Sequence, residues 1–247
     1  MPNYVRNIVK MEGIADLPYF TEADGRRCFD FNKLVAMPPE LNIEDGSMTD
    51  ERIIYFLTDR CQTPIRELSS EKAALLPRLM PFMFTSDWPE EVFQRVSQKL
   101  QNATEDEKEH EYERGHQYVS NYERYGAPTW YLWCVRHWGT KWNACYTEII
   151  DPDTIQFDTA WSNPAPIVQK LGELYPAIRI EHWWADEDIG SNTGHRILFD
   201  GGETVECFER DKDALDIYTK CWGESKCVYL DENGELQFRD CDDCDGC

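Results

Sequence analysis

"TWYLWCVRHWGTKWNACYTEII", residues 129–150, decides how the rest of the chain is read. Three readings compete for it: an aromatic binding platform, a catalytic lysine in an apolar pocket, or the middle of a sheet. Alternation puts Trp133, Val135 and His137 on one side of a strand and Trp130, Leu132, Cys134, Arg136 and Trp138 on the other. Bulky groups on both sides are expected of a strand covered on both faces. The spacing predicts strands at 129–138, 142–150 and 154–162, separated by a turn at Gly139 and by Asp151-Pro152-Asp153. The tryptophans are then core residues, since indoles contribute so much burial. Lys141 falls at a turn, solvated or stacked on an indole.

Upstream the period is helical. Residues 49–57, 69–79 and 87–100 carry helix spacing, the last with Asp87 as N-cap, Pro89 and two glutamates in its first turn. "TEDEKEHEYERGHQYVSNYERYG" (104–126) continues as a charged helix and stops at Gly126-Ala127-Pro128. Before these lie a first strand at 4–11 and an extended piece at 29–41, ending at Pro38-Pro39 where a helix cannot continue. Downstream, 163–176 reads as a helix, 178–188 with 195–202 as a hairpin, 210–222 as a last helix, and 227–241 as a hairpin turning at Asn233-Gly234.

Three segments carry a resemblance. "FDFNKLVAMPPEL" (29–41), followed by "WGTKWNA" (138–144) and "FDTAWSNPAPIVQKL" (157–171), resembles the YubB-type ferredoxin-like family of plasmid and phage proteins. The resemblance implies a ferredoxin-like α+β fold, a mobile-element origin and a bacterial cytoplasmic setting. It supplies no catalytic residues and does not reach the cysteine-rich end. The expected organisation is an antiparallel sheet packed with helices. Residues 1–48 supply the first strand and extended segment, 49–126 a helical insertion, 127–205 the main sheet, and 206–247 a helix, hairpin and acidic cysteine-rich tail.

The 247 residues carry a net charge of −22, from 25 basic and 47 acidic side chains. Such a field repels nucleic acid and anionic membranes, whose binding rests on Lys and Arg. It either keeps molecules apart in solution or faces a basic partner. No apolar run is long enough to span a bilayer, and the N-terminus lacks a secretory layout, so a cytoplasmic protein is expected. In a reducing compartment ten cysteines favour free thiols or metal ligation. Cys221, Cys227, Cys241 and Cys244, with Cys247 in reach, would suit one structural zinc if the 227–241 hairpin closes; the alternative is an acidic tail with free thiols.

No catalytic signature is visible. The expected function is that of a mobile-element accessory protein binding a host protein through an acidic, nucleic-acid-mimicking surface, without binding nucleic acid itself. The helix at 104–125 would present Glu107, Glu109, Glu111 and Glu113, with Tyr112, Tyr118 and Tyr122 as aromatic anchors. The alternative is an enzyme, a hydrolase or nucleic-acid-processing factor, with a site near His137 and Lys141.

Overall fold

The computed structural model describes residues 3–23, 25–81 and 87–238. The chain divides into two compact units, one of residues 37–133 and one of residues 1–36 with 134–247.

The second of these units is built on one strand. β1 (Tyr4–Lys10) alternates so that Val5, Asn7 and Val9 are buried on one face. A short hairpin follows, β2 (Phe20–Ala23) with β3 (Arg26–Phe29), and then a single helical turn, α1 (Phe31–Leu34), capped by the Asp30 carboxylate. Much later in sequence come β4 (Cys145–Asp151) and β5 (Thr154–Ala160), and then β6 (Ile180–Asp186), β7 (Thr193–Phe199) and β8 (Gly202–Phe208). With β1 they form a six-stranded sheet in the order β4-β5-β1-β6-β7-β8, every pair antiparallel.

A helix between β5 and β6, Ala165–Leu174, lies on the Asn7 face and buries Ile167, Val168 and Leu171. Phe29, Phe31, Phe157 and Trp138 meet edge-on or tilted, with centroids 5.3–5.8 Å apart. The opposite face carries Ile8, Trp183 and Ala185 against Ile217, Cys221 and Trp222 of a helix at Lys212–Trp222. Two short strands, Val228–Leu230 and Leu236–Phe238, pair around Asn233-Gly234 as the sequence predicts.

The other unit is helical: α2 (Ser47–Leu57), α3 (Ser70–Leu79), α4 (Trp88–Leu100) and α5 (Glu105–Tyr125). Ile53, Ile54, Leu57, Leu76, Val92, Val96 and Tyr118 form its core. α5 starts in a capping box, with Thr104 and Glu107 each satisfying the other's backbone, and ends at Gly126. The helical insertion expected at 49–126 falls within this unit. Asp87 precedes α4 but makes no side-chain cap, which corrects the expected N-cap.

The decisive stretch is corrected as well. Residues 130–137, expected as a strand, form helix α6 (Trp130–His137). The Thr129 carbonyl accepts from the Trp133 N–H at 3.4 Å, a helical bond across four residues. Leu132, Trp133, Cys134 and Trp138 are buried while Arg136 and His137 are exposed, so burial runs in blocks instead of alternating. The strands begin only at Cys145, where β4 and β5 pair as the spacing predicts. The helices after β5 and before the last hairpin are α7 (Ala165–Leu174) and α8 (Lys212–Trp222). Among the described residues no helix is long and apolar enough to cross a membrane.

Candidate functional site

The two edges of the sheet differ. β4 is irregular, with register shifts after Cys145 and after Ile149, and Thr147 Oγ1 accepts from the Phe29 N–H at 3.0 Å. β8 is regular over all seven residues, pairing Thr193 with Phe208 through to Phe199 with Gly202. Its tight turn explains that register. Asp200 (φ 51°) and Gly201 (φ 72°) are both left-handed, as a two-residue hairpin turn of this hand requires. Residues Gly202 to Cys207 are all exposed. Among the described residues, no backbone hydrogen bond beyond the β7 ladder engages 203–208.

Beside the first half of β8 runs a groove of about 470 Å³, walled by α7 and the β7–β8 turn. Gly172, Pro176, Ile178, Leu198 and Phe199 make it apolar, while Gln169, Glu173 and Glu203 supply its polar groups. Glu203 is held in place: both carboxylate oxygens accept from Gln169 Nε2 at 3.0 Å, and one lies 2.7 Å from Arg196 Nε. Arg196 is buried, with its guanidinium over the Trp184 ring at 5.3 Å. Burial pulls its pKa below the usual arginine range, against the opposing pull of Glu203.

Behind Arg196 lies a polar line in the sheet interior. Asn7 Nδ2 donates to Val5 O and Thr159 Oγ1, both at 2.9 Å, so its Oδ1 faces His182 Nε2 at 3.0 Å as an acceptor. His182 must then donate from Nε2. Burial, followed by the nearby Arg196 and His195 charges, holds the His182 pKa well below its usual range. Among the described residues neither His182 Nδ1 nor Arg196 Nη1 has a hydrogen-bond partner. A neutral imidazole and a charged guanidinium are thus buried side by side, His182 opposite Arg196 in the β6–β7 register.

The residues expected from the sequence lie elsewhere. On α5, Glu107 is the capping-box carboxylate, Glu109 bonds Arg60 Nη2 at 2.5 Å, and Glu111 holds Arg52 through two bonds at 2.8 and 3.2 Å. Glu113 is exposed. Tyr118 is fully buried and donates to Glu44 O at 3.0 Å, which removes it as a surface anchor. Tyr112 meets Phe56 with the rings tilted, and Tyr122 packs partly on the helical core. The carboxylates expected to form one acidic face are largely spent within the unit.

His137 is exposed at the end of α6, its pKa lowered by partial burial and then by Arg136. Lys141 sits over two indoles, 5.0 Å from the Trp142 ring centre and 4.6 Å from that of Trp161. That is the stacked arrangement, not an amine in an apolar pocket. Of the proposed zinc ligands, Cys221 is buried against Ile8 and Ala185, and burial pushes its thiol up to about 12. Cys227 is half-buried ahead of the last hairpin and is disulfide-bonded, so it is neither the free thiol nor the thiolate ligand expected of it; Cys241 and Cys244 lie outside the described residues. Among the described residues no three His, Cys, Asp or Glu side chains cluster as a metal site.

Five of the six strands of the sheet, with the groove and both covering helices, fall in a region similar to a known domain, while β1 lies outside it. Residues 137–229 match the family model of the ferredoxin-like domain in Api92-like protein. This Api92-like region contains β4 to β8, α7 and α8, so the open edge and the groove both fall inside it. The crystal structure of Api92 from Yersinia pseudotuberculosis is similar at 9% sequence identity, over 84% of this chain and 99% of that one, with a TM-score of 0.32. No match was found among curated proteins.

Proposed function

We propose that this protein works by holding a basic protein and not by turning over a substrate. In the reading that fits its resemblances, it is an accessory protein of a plasmid or phage, and its partners are host proteins that bind nucleic acid. The observation that carries the proposal is the open edge strand set in acid. Within Phe199–Asp211, Asp200, Glu203, Glu206, Glu209 and Asp211 stand against the single base Arg210. A chain of net charge −22 draws in basic surfaces at long range, with rates that fall as salt screens the field. Carboxylates spaced along a strand occupy a basic surface as backbone phosphates would.

A competition experiment tests this. A basic, sequence-independent DNA-binding protein is loaded with a labelled duplex, and the acidic protein is added at 50 mM and at 300 mM NaCl. Displacement of the duplex at low salt, weakening at least tenfold at high salt, is the expected result. No displacement at 50 mM NaCl overturns the reading.

A further inference from the structure

We propose that β8 receives an extended basic segment of the partner as a seventh strand of the sheet. This rests on the basic-partner reading above and names the surface and the conformation of what it binds. Strand addition requires a regular, unobstructed edge, because each added residue pair must match the ladder spacing. Among the described residues β8 meets that condition and β4 does not, its register shifting twice and Thr147 engaging Phe29. Natural edges are commonly protected by bulges, prolines or inward-pointing charges. β8 has none of the first two, and of its two carboxylates Glu203 turns inward to Gln169 and the buried Arg196 while Glu206 is exposed.

The chemistry of the occupant follows from the side chains. Glu206 and Glu209 are exposed on or just beyond the strand, and Asp200 sits at its turn. An added strand alternates its side chains between the sheet faces. On one face, residues near Glu203 reach the groove lined by Ile178, Leu198 and Phe199, which suits an aliphatic side chain. Lysine or arginine at the neighbouring positions meets the carboxylates. A second copy of this chain is the competing occupant. Two copies would bring −22 against −22, and long-range repulsion opposes that encounter.

The test uses the full chain and a defined probe, a ten-residue peptide of alternating lysine and valine, with alternating lysine and proline as an equally charged control that cannot form a strand. Binding is followed by titration and by amide hydrogen exchange at 50 and 300 mM NaCl. The expected result is slowed exchange centred on residues 203–207, with affinity at least tenfold weaker at the higher salt. The proline control should bind at least tenfold more weakly than the valine peptide.

Thr204→Pro and Val205→Pro are made separately. Neighbouring residues of an antiparallel strand direct their N–H groups alternately to the partner and outward, so one of the two removes only an outward donor. The variant that keeps native circular dichroism and melting temperature should lose at least tenfold in peptide affinity. Glu206→Lys with Glu209→Lys leaves the edge intact and should lose as much by charge alone; Glu203 is spared because it holds Arg196.

Equal binding of the two peptides overturns strand addition. Slowed exchange away from β8 overturns this surface while leaving the basic-partner reading in place. Failure of both peptides to bind at 50 mM NaCl, together with no duplex displacement, overturns both. Concentration-dependent dimers that protect 203–207 without peptide assign the edge to a second copy and overturn the proposal.

Discussion

Asn7 sets the tautomer of His182. Its amide nitrogen is committed to Val5 O and Thr159 Oγ1, which leaves only its oxygen to meet His182 Nε2 at 3.0 Å. His182 is fully buried, and its pKa lies well below the usual value in the folded protein. An unfolded imidazole titrates near ~6.5. Below that pH the unfolded chain takes up a proton that the folded chain refuses. Stability is therefore full above about pH 6.5 and falls as the pH drops through it, at up to ~1.4 kcal/mol per pH unit per histidine. His137 and His195, also lowered, add with the same sign. Denaturant unfolding from pH 7.5 to 5 should show this slope, and His182→Gln should reduce it by about one proton's share. An unchanged slope in that variant would show that His182 is charged in the fold.

The crossing of α2 and α5 depends on Gly115. A Cβ there would run into the Arg52 carbonyl oxygen and come 2.7 Å from Phe56 Cβ. Alanine is the better helix former by ~1 kcal/mol, yet Gly115→Ala should destabilise the helical unit by about 1–3 kcal/mol, because the two backbones must move apart. Chemical denaturation monitored by far-ultraviolet circular dichroism measures it. A stabilised variant would show that the helices can separate freely.

Phe31 anchors the aromatic cluster under the sheet. It is fully buried and touches Phe29, Trp138 and Phe157 edge-on. Phe31→Ala should cost about 3–5 kcal/mol, the range for deleting a large buried aromatic. Phe31→Leu keeps most of the volume and should cost about 1.5 kcal/mol or less. Thermal melts of the two variants distinguish a packed ring from a peripheral one.

What the sequence could and could not show follows from which elements bury a face. β1, β5, β6 and α5 announce themselves because one side of each is apolar or because clear caps bound them. The stretch at 130–137 misleads because β-branched and aromatic residues favour strands, while the tertiary setting makes a helix of them. Its boundaries are nonetheless marked by Thr129 and Gly139, which flank the eight-residue helix. β8 was invisible for the opposite reason. A strand exposed along its whole length needs no apolar period, and its existence is dictated by pairing with β7. The Asp-Gly steps at 200–201 and 24–25 were the signals that would have revealed β8 and the β2–β3 hairpin. The candidate site was hard to read because its main element carries no core pattern.

Cysteine reactivity separates packing from ligation. Cys221 is 4% exposed, with its thiol pushed up to about 12 by burial, whereas Cys207 is a free, exposed thiol on β8. A disulfide reagent at pH 7.5 should modify Cys207 rapidly, and Cys221 only as the protein unfolds, since the thiolate is the reactive species. Mass mapping of the modified peptides gives the order. Zinc content of protein purified without chelator should be the same for Cys221→Ala as for the parent chain. Loss of about one equivalent on that substitution would instead make Cys221 a ligand.

The acids of α5 can be ranked by what each one holds. Glu111 binds Arg52, whose side chain is 9% exposed and which also contacts Glu44 and the Tyr118 hydroxyl. Removing one partner of a buried pair leaves a charge uncompensated, at a cost of about 3–5 kcal/mol when nothing else compensates. Glu44 remains, so Glu111→Gln should cost less, about 1–3 kcal/mol. Glu111→Lys sets two cations together inside the unit and should unfold residues 37–133. Glu113 is exposed, and Glu113→Lys should stay within about 0.5 kcal/mol of the parent. Reversing Glu107, Glu109, Glu111 and Glu113 together would thus report on folding before it reported on any partner. Limited proteolysis of the single variants decides the point. If Glu111→Lys resists cleavage as well as Glu113→Lys does, Arg52 is satisfied without Glu111, and α5 regains its acids as a binding face.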